Sequence, residues 1–208
     1  MLRKKRYKIQ RQLATALPGF GDKKAKSPLT KRPFPPGTHG RTFRRKLSEF
    51  GVKLKEKQKV RHHYGLKEKQ IRIMIKKAKR KESNWFNVFI SLAERRLDNL
   101  VYRLGFFPTM ASARQAVVHG KVLVNGRKLD RPSAVMEIGA EISLKDKTYQ
   151  NILVVQTMKE PTLDLPHFLS SEEIKGKTVG KLVDEPKPED IPFQFDLEHF
   201  LVYYGKVK

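Results

Sequence analysis

The chain has 208 residues, with 45 Lys and Arg against 21 Asp and Glu, a formal net charge of +24, and no cysteine. That length accommodates two modest domains with real cores, and the charge calls for a polyanionic partner. The missing cysteines exclude disulfides and any cysteine-ligated zinc, and no run of about 18 apolar residues offers a transmembrane helix. The charge is segregated: residues 1–81 hold 28 Lys and Arg against 4 Asp and Glu, whereas residues 82–208 hold 17 of each. Solubility alone would not need that segregation; a footprint on phosphates would.

Residues 1–50 read as a basic extended arm, starting Met1-Leu2-Arg3-Lys4-Lys5-Arg6 and carrying Pro18, Pro28, Pro33, Pro35 and Pro36. No apolar run follows the charged start, so a secretory signal is not expected. One short helix is expected from Lys8 to Leu17, ended by Pro18-Gly19. The rest is too poor in apolar residues for a core of its own. Pro35-Pro36-Gly37-Thr38-His39-Gly40-Arg41 is a rigid turn followed by glycines, able to press N–H and guanidinium groups on phosphates or to serve as a plain linker.

Three helices should follow in a helical domain over 51–94, completed by 191–208. The first, 52–64, has scant apolar content and one acid, Glu56; a helix so lopsided in charge needs phosphates to hold it or presents a solvated face. The second, 67–81, has a buried stripe of Ile71, Met74, Ile75 and Ala78. The third, 84–94, is apolar on most sides and reads as the core helix.

Residues 95–160 read as a module of helix, turn, helix and strands. Leu97, Leu100, Val101 and Leu104 fall at i, i+3, i+4 and i+7, and Gly105 ends that helix. Thr109 is an N-cap for a second helix with an apolar row of Met110, Ala113 and Val117 and a polar row of Ser112, Gln115 and His119. Asn125-Gly126 marks a hairpin. Residues 140–144 and 152–155 are expected as further strands. On pattern alone the module is either an RNA-docking unit or an ordinary α+β core with a solvated face. Residues 161–190 form an acidic, Pro-containing extension, and a last helix near 197–204 would fold back on the first domain and make the module an insertion. The expected fold class is α+β, mainly α: a helical first domain with a basic N-terminal arm, plus an inserted RNA-binding module of two helices and a small antiparallel sheet.

Several stretches in this order carry a resemblance: Pro35-Pro36-Gly37-Thr38-His39-Gly40; Glu49-Phe50-Gly51-Val52-Lys53-Leu54; Tyr64-Gly65-Leu66; Arg96-Leu97-Asp98-Asn99-Leu100-Val101-Tyr102-Arg103-Leu104-Gly105-Phe106; Ala113-Arg114-Gln115-Ala116; Val124-Asn125-Gly126-Arg127; and Asp196-Leu197-Glu198-His199-Phe200. Together they resemble the bacterial type of the small-subunit ribosomal protein four (S-four) family, over roughly residues 33–145 and again 196–206. Arg96 to Gly126 alone is similar to a module also found in pseudouridine synthases, some tRNA synthetases and stress proteins. Many family members begin Arg-Tyr-X-Gly-Pro, and some place four cysteines around a zinc. This chain has neither and resembles the zinc-free form.

The resemblance implies a structural constituent of the small ribosomal subunit. Such proteins bind small-subunit rRNA at a multi-helix junction of the 5′ domain and nucleate assembly. They lie beside ribosomal proteins three and five where mRNA enters, and affect decoding accuracy. The implied location is cytoplasmic and ribosome-bound, with no cofactor, metal, membrane or small-molecule substrate. RNA contacts are expected from Arg3, Lys4, Lys5, Arg6, Arg41, Arg44, Arg45, Lys57, Lys59, Arg61, Tyr64 and Arg72 in the first part of the chain. The module should add Arg96, Arg103, Ser112, Arg114, Gln115, His119, Lys121 and Arg127. Phosphate neutralisation and shape recognition would carry the affinity, because A-form RNA hides its base edges. Asp98 is expected to orient Arg96 or cap a helix. An enzyme is not expected: there is no cysteine nucleophile, no P-loop and no G-x-G-x-x-G. The alternative is a standalone RNA-binding regulator or stress factor, which would need the module but not the basic helices at 52–81.

Overall fold

The computed structural model describes residues 6–20, 27–42, 46–82, 84–174 and 176–205. Two hydrophobic cores organise them. The first gathers helices α1 (Arg6–Leu13), α3 (Glu49–His63), α4 (Glu68–Lys81), α5 (Trp85–Glu94) and α10 (Leu197–Tyr204), with the short α2 (Pro28–Lys31) lying on α1. Leu13 and Leu17 are buried in that core beside Val60, Ile71, Ile75, Phe89 and Phe200. So the stretch read as an arm is partly core, and its helix covers Arg6–Leu13 among the described residues and stops short of the expected Leu17.

The helix α3 resolves the lopsided charge in a way the pattern did not suggest. Part of its charge is paired within the chain. Its inner face buries Glu56, Lys57 and Lys59 as pairs: Lys57 with Glu68 at 2.8 Å and Lys59 with Glu56 at 2.6 Å. The same two acids reach the C-terminal segment. Glu56 Oε2 accepts from the Asp196 N–H, and the Tyr204 hydroxyl donates to Glu68. Lys79 completes the closure by donating to the carbonyls of Tyr204 and Gly205, the favoured place for a cation at a helix C-terminus.

The second core is built by α6 (Leu97–Arg103) and α7 (Met110–Val118) against an antiparallel sheet. Its strands are β1 (Val122–Val124), β2 (Arg127–Lys128), β3 (Glu141–Leu144), β4 (Leu169–Ile174) and β5 (Lys177–Leu182), in the order β2-β1-β3-β5-β4. The hairpin between β1 and β2 turns at Asn125 and Gly126, with φ of 48° and 75°, the left-handed pair that a two-residue turn requires. Thr109 caps α7 by accepting from the Ser112 N–H at 3.0 Å. The helix ends in a Schellman arrangement, Gly120 N–H to Val117 O and Lys121 N–H to Ala116 O.

Two expectations are corrected here. Residues 152–155 are not a strand but open the helix α9 (Ile152–Lys159), which follows the short α8 (Asp146–Tyr149). Asn151 caps α9 by accepting from the Leu153 N–H, and a four-residue apolar run has no period that separates helix from strand. The stretch from 161 to 190 is not merely extended either. It supplies β4 and β5, paired from Leu169↔Leu182 to Ile174↔Lys177, and β5 joins β3 at Ile142↔Gly180. These residues therefore belong to the module's sheet, and Phe168, Leu169 and Leu182 sit in its core.

Candidate nucleic-acid interface

Two kinds of cation emerge. The first kind is turned inward. Glu94, at the end of α5, is fully buried. Its Oε1 accepts from the Tyr64 hydroxyl at 2.5 Å, and its Oε2 accepts from Asn99 Nδ2 at 2.6 Å and Arg103 Nε at 3.1 Å. Burial, then the Glu94 carboxylate, pushes the Tyr64 phenol well above its usual range, so it stays a hydrogen-bond donor. Arg103 also donates to the Asp190 carbonyl. Arg96 grips Asp98 with Nε and Nη2 at 3.0 and 2.7 Å, and Arg114 Nη1 reaches Asp98 at 3.1 Å. Asp98 thus orients Arg96, one of the two roles expected of it.

Five of the expected contacts are drawn into the fold: Lys57, Lys59, Tyr64, Arg96 and Arg103 are buried and have acidic partners within the chain. Charge alone cannot separate a buried paired cation from a free one: Glu56 and Asp98 lie close in sequence to Lys59 and Arg96, but the acids that pair with Lys57 and Arg103 come from other helices.

The second kind faces outward. On α4, Ile71, Ile75 and Ala78 turn inward while Lys76, Lys77, Arg80 and Lys81 are exposed. Among the described residues these four cations form no ion pair. Only Arg72 of this helix was singled out from the sequence; it is exposed and pairs with Glu68 at 3.3 Å. The other four are not among the expected contacts, although the same amphipathic pattern places them outside: a stripe that buries one face leaves the lysines on the other.

On the module, Gln115, His119 and Arg127 are exposed, and Ser112, Arg114 and Lys121 are half-buried. Ser112 is engaged in the cap with Thr109. The α7 C-terminus lies against β2, because a side chain at Gly120 would collide with Lys128 at 2.2 Å. His119 and Lys121 flank the glycine that meets Lys128. In the arm, Arg6 donates to the Phe20 carbonyl and to the Tyr7 hydroxyl. Arg61 donates to Gln58. Arg41 is exposed and lies over the Phe34 ring at 5.3 Å, and Arg11 fixes the turn by donating to the carbonyls of Phe34 and Pro35. The turn is tight: a side chain at Gly40 would meet the Pro35 carbonyl at 2.1 Å. Arg3, Lys4, Lys5, Arg44 and Arg45 lie outside the described residues.

Behind this surface sits His63, fully buried, with Nδ1 accepting from the Gly19 N–H at 3.3 Å. Burial first, and then Arg103, lowers its pKa from 6.5 to about 3. The folded state thus holds the imidazole neutral where the unfolded chain takes up a proton. The stability this contributes is whole above pH 6.5 and drains as pH falls from there toward 3. Urea unfolding should show a loss of about 1 kcal/mol per pH unit between pH 6.5 and 4.5. His63→Asn, which keeps an acceptor for Gly19 but cannot titrate, should flatten that slope; an unchanged slope would assign it to other groups.

A helix-turn-helix-strand module with a polar helix row, joined to a helical unit with an exposed basic face, defines the S4-domain class of RNA-binding proteins. Family models agree segment by segment: "Ribosomal protein S4/S9 N-terminal domain" matches residues 1–94 and "S4 domain" matches residues 95–142. The chain is 48% identical over 201 residues to small ribosomal subunit protein uS4B of Bdellovibrio bacteriovorus, covering 96% of this chain and 95% of that one. It is 42% identical over 201 residues to uS4 of Methylobacillus flagellatus and 39% identical over 202 residues to uS4 of a Geobacillus species, covering 96% of this chain in both cases and 95% and 96% of theirs. The chain belongs to the uS4 family of small ribosomal subunit proteins. This is a family of structural proteins rather than enzymes, and the shared length reaches well beyond the module that regulators carry.

Proposed function

We propose that this chain is an rRNA-binding constituent of the small ribosomal subunit. It engages a multi-helix junction of the 5′ domain early in assembly and nucleates the particle around it. The observation that carries this reading is the exposed face of α4, where Lys76, Lys77, Arg80 and Lys81 form no ion pair among the described residues, within the 81 residues that hold the entire net charge. On the module, the exposed Gln115, His119 and Arg127, with the half-buried Lys121, supply a second contact of different chemistry. Two faces on one body suit helices that meet at a junction better than a single duplex. Once the junction is engaged, the chain lies where mRNA enters, beside ribosomal proteins three and five, in the cytoplasm, and contributes to decoding accuracy. The acidic residues between 160 and 198, 10 Asp and Glu against 4 Lys and Arg, suit basic protein neighbours rather than RNA.

Sucrose-gradient sedimentation of a tagged chain from growing cells tests this. Co-migration with small subunits and whole ribosomes is expected. A light, free peak would refute the assignment.

A further inference from the structure

We propose that Glu94 is a positioning residue that fixes the angle between the two RNA-facing surfaces, and that this fixed angle selects a helix junction over a plain duplex. The proposal rests on the RNA-binding reading above. Its basis is where the chain crosses between the two cores. It crosses twice: outward from α5 to α6, and back from β5 to α10. Two such crossings would ordinarily act as hinges, since interfaces within a chain are by default mobile. Here both are tied to one carboxylate.

At the outward crossing, Asn99 and Arg103 stand one helical turn apart on α6 and both donate to Glu94. Asn99 Nδ2 also donates to the Glu94 backbone carbonyl at 2.9 Å. From the first core, Tyr64 at the end of α3 donates to the other carboxylate oxygen. At the return crossing, Arg103 donates to the Asp190 carbonyl, so the same guanidinium joins Glu94 to the returning strand of chain. A second tie lies alongside: Glu185 accepts from Ser91 at 2.6 Å, and Arg95 donates to the Met136 carbonyl at 2.7 Å.

Local forces would not place an acid at this position. An acid in the last turn of α5 opposes the helix dipole, which favours cations there. Its full burial costs further free energy unless every oxygen is satisfied. Both oxygens are satisfied, and only by groups from other elements. The position is explained by tertiary geometry, namely the joining of α3, α5, α6 and the return segment at one point.

The consequence for binding follows from bivalency. Each face alone grips phosphate weakly. Held at the correct angle, the second contact becomes intramolecular and gains a high effective concentration; on a loosened joint that gain falls. A duplex that touches one face is indifferent to the joint.

The test uses the full chain, whose lack of cysteine allows site-specific labelling at Asn87→Cys and Glu137→Cys. Affinity is measured for a 5′-domain rRNA fragment containing the junction and for an uninterrupted duplex cut from one of its arms. Glu94→Gln should weaken junction binding by about tenfold and leave duplex binding within about twofold. Energy transfer between the labels should broaden. Tyr64→Phe, which keeps the ring and removes one hydrogen bond, should give a smaller loss of the same kind and serves if Glu94→Gln does not fold. Equal losses on both RNAs would mark a merely structural role and overturn the proposal, as would a variant that keeps its junction preference. A parent chain without any junction preference would overturn the functional reading instead.

Discussion

Replacing Lys76, Lys77, Arg80 and Lys81 together by glutamine should lower rRNA affinity about a hundredfold at moderate salt and flatten the slope of log K against log salt by about three units. Each phosphate neutralised releases close to one condensed counterion, so four lost contacts appear directly in the slope. The fold should survive, because all four side chains are exposed and unpaired among the described residues, and surface changes of this sort shift stability by about 0.5 kcal/mol or less each. A Lys147→Gln, Lys159→Gln double variant is the control. Those residues are also exposed but lie in the charge-balanced half of the chain, and their loss should change the slope by less than about one unit. If the control lost as much slope per charge removed as the α4 variant, the attraction would reside in net charge and not in the α4 face.

That face was legible in the sequence, and its reading shows what a sequence can and cannot convey. A period of 3.6 separates the inside of α4 from its outside, so Ile71, Ile75 and Ala78 predict where Lys76 and Arg80 point. The same logic placed Gln115 and His119 on the open row of α7. It fails where charge is buried. Nothing near Arg103 in sequence announces that Glu94, nine residues earlier, lies 3.1 Å away, nor that Lys57 meets Glu68 across a turn. Burial of a cation depends on a partner supplied by tertiary contact, which local pattern does not encode. The strands β4 and β5 were missed for a related reason. Ser171, Glu172 and Glu173 are exposed at the sheet's edge, so the strand lacks the alternation that marks a half-buried one, and its existence rests on pairing with a distant neighbour. The apolar run Ile152-Leu153-Val154-Val155 misled in the opposite direction. Only Val154 of the four is buried, so its hydrophobicity reports little about the core.

The return of α10 to the first core is where the largest loss of stability is expected. Phe200 is fully buried. Its ring meets Phe86, Phe195 and Tyr204 edge-on at centroid distances of 5.8, 5.4 and 5.0 Å, and Phe89 at 5.5 Å. Such a site has no means of collapsing around a missing ring, because its walls come from α5, α10 and the segment before α10, each fixed by its own contacts. Phe200→Ala should therefore cost about 3–5 kcal/mol, the lost transfer energy plus the cavity. Against a total of about 5–15 kcal/mol for an ordinary domain, that brings the first core near its unfolding threshold. Val202→Ala, on the same helix but 53% exposed, should shift stability by about 0.5 kcal/mol or less. Urea unfolding of the two variants measures the difference. The cost should extend beyond α10, since Glu56 and Glu68 on α3 and α4 receive hydrogen bonds from Asp196 and Tyr204. Releasing the helix takes one donor from the buried Glu56 and one from the half-buried Glu68, and loosens the base on which the cationic face of α4 is mounted. Phe200→Ala should then weaken RNA binding as well, although it removes no charge, whereas a stability loss no greater than that of Val202→Ala would mean that α10 is not a structural part of the first core.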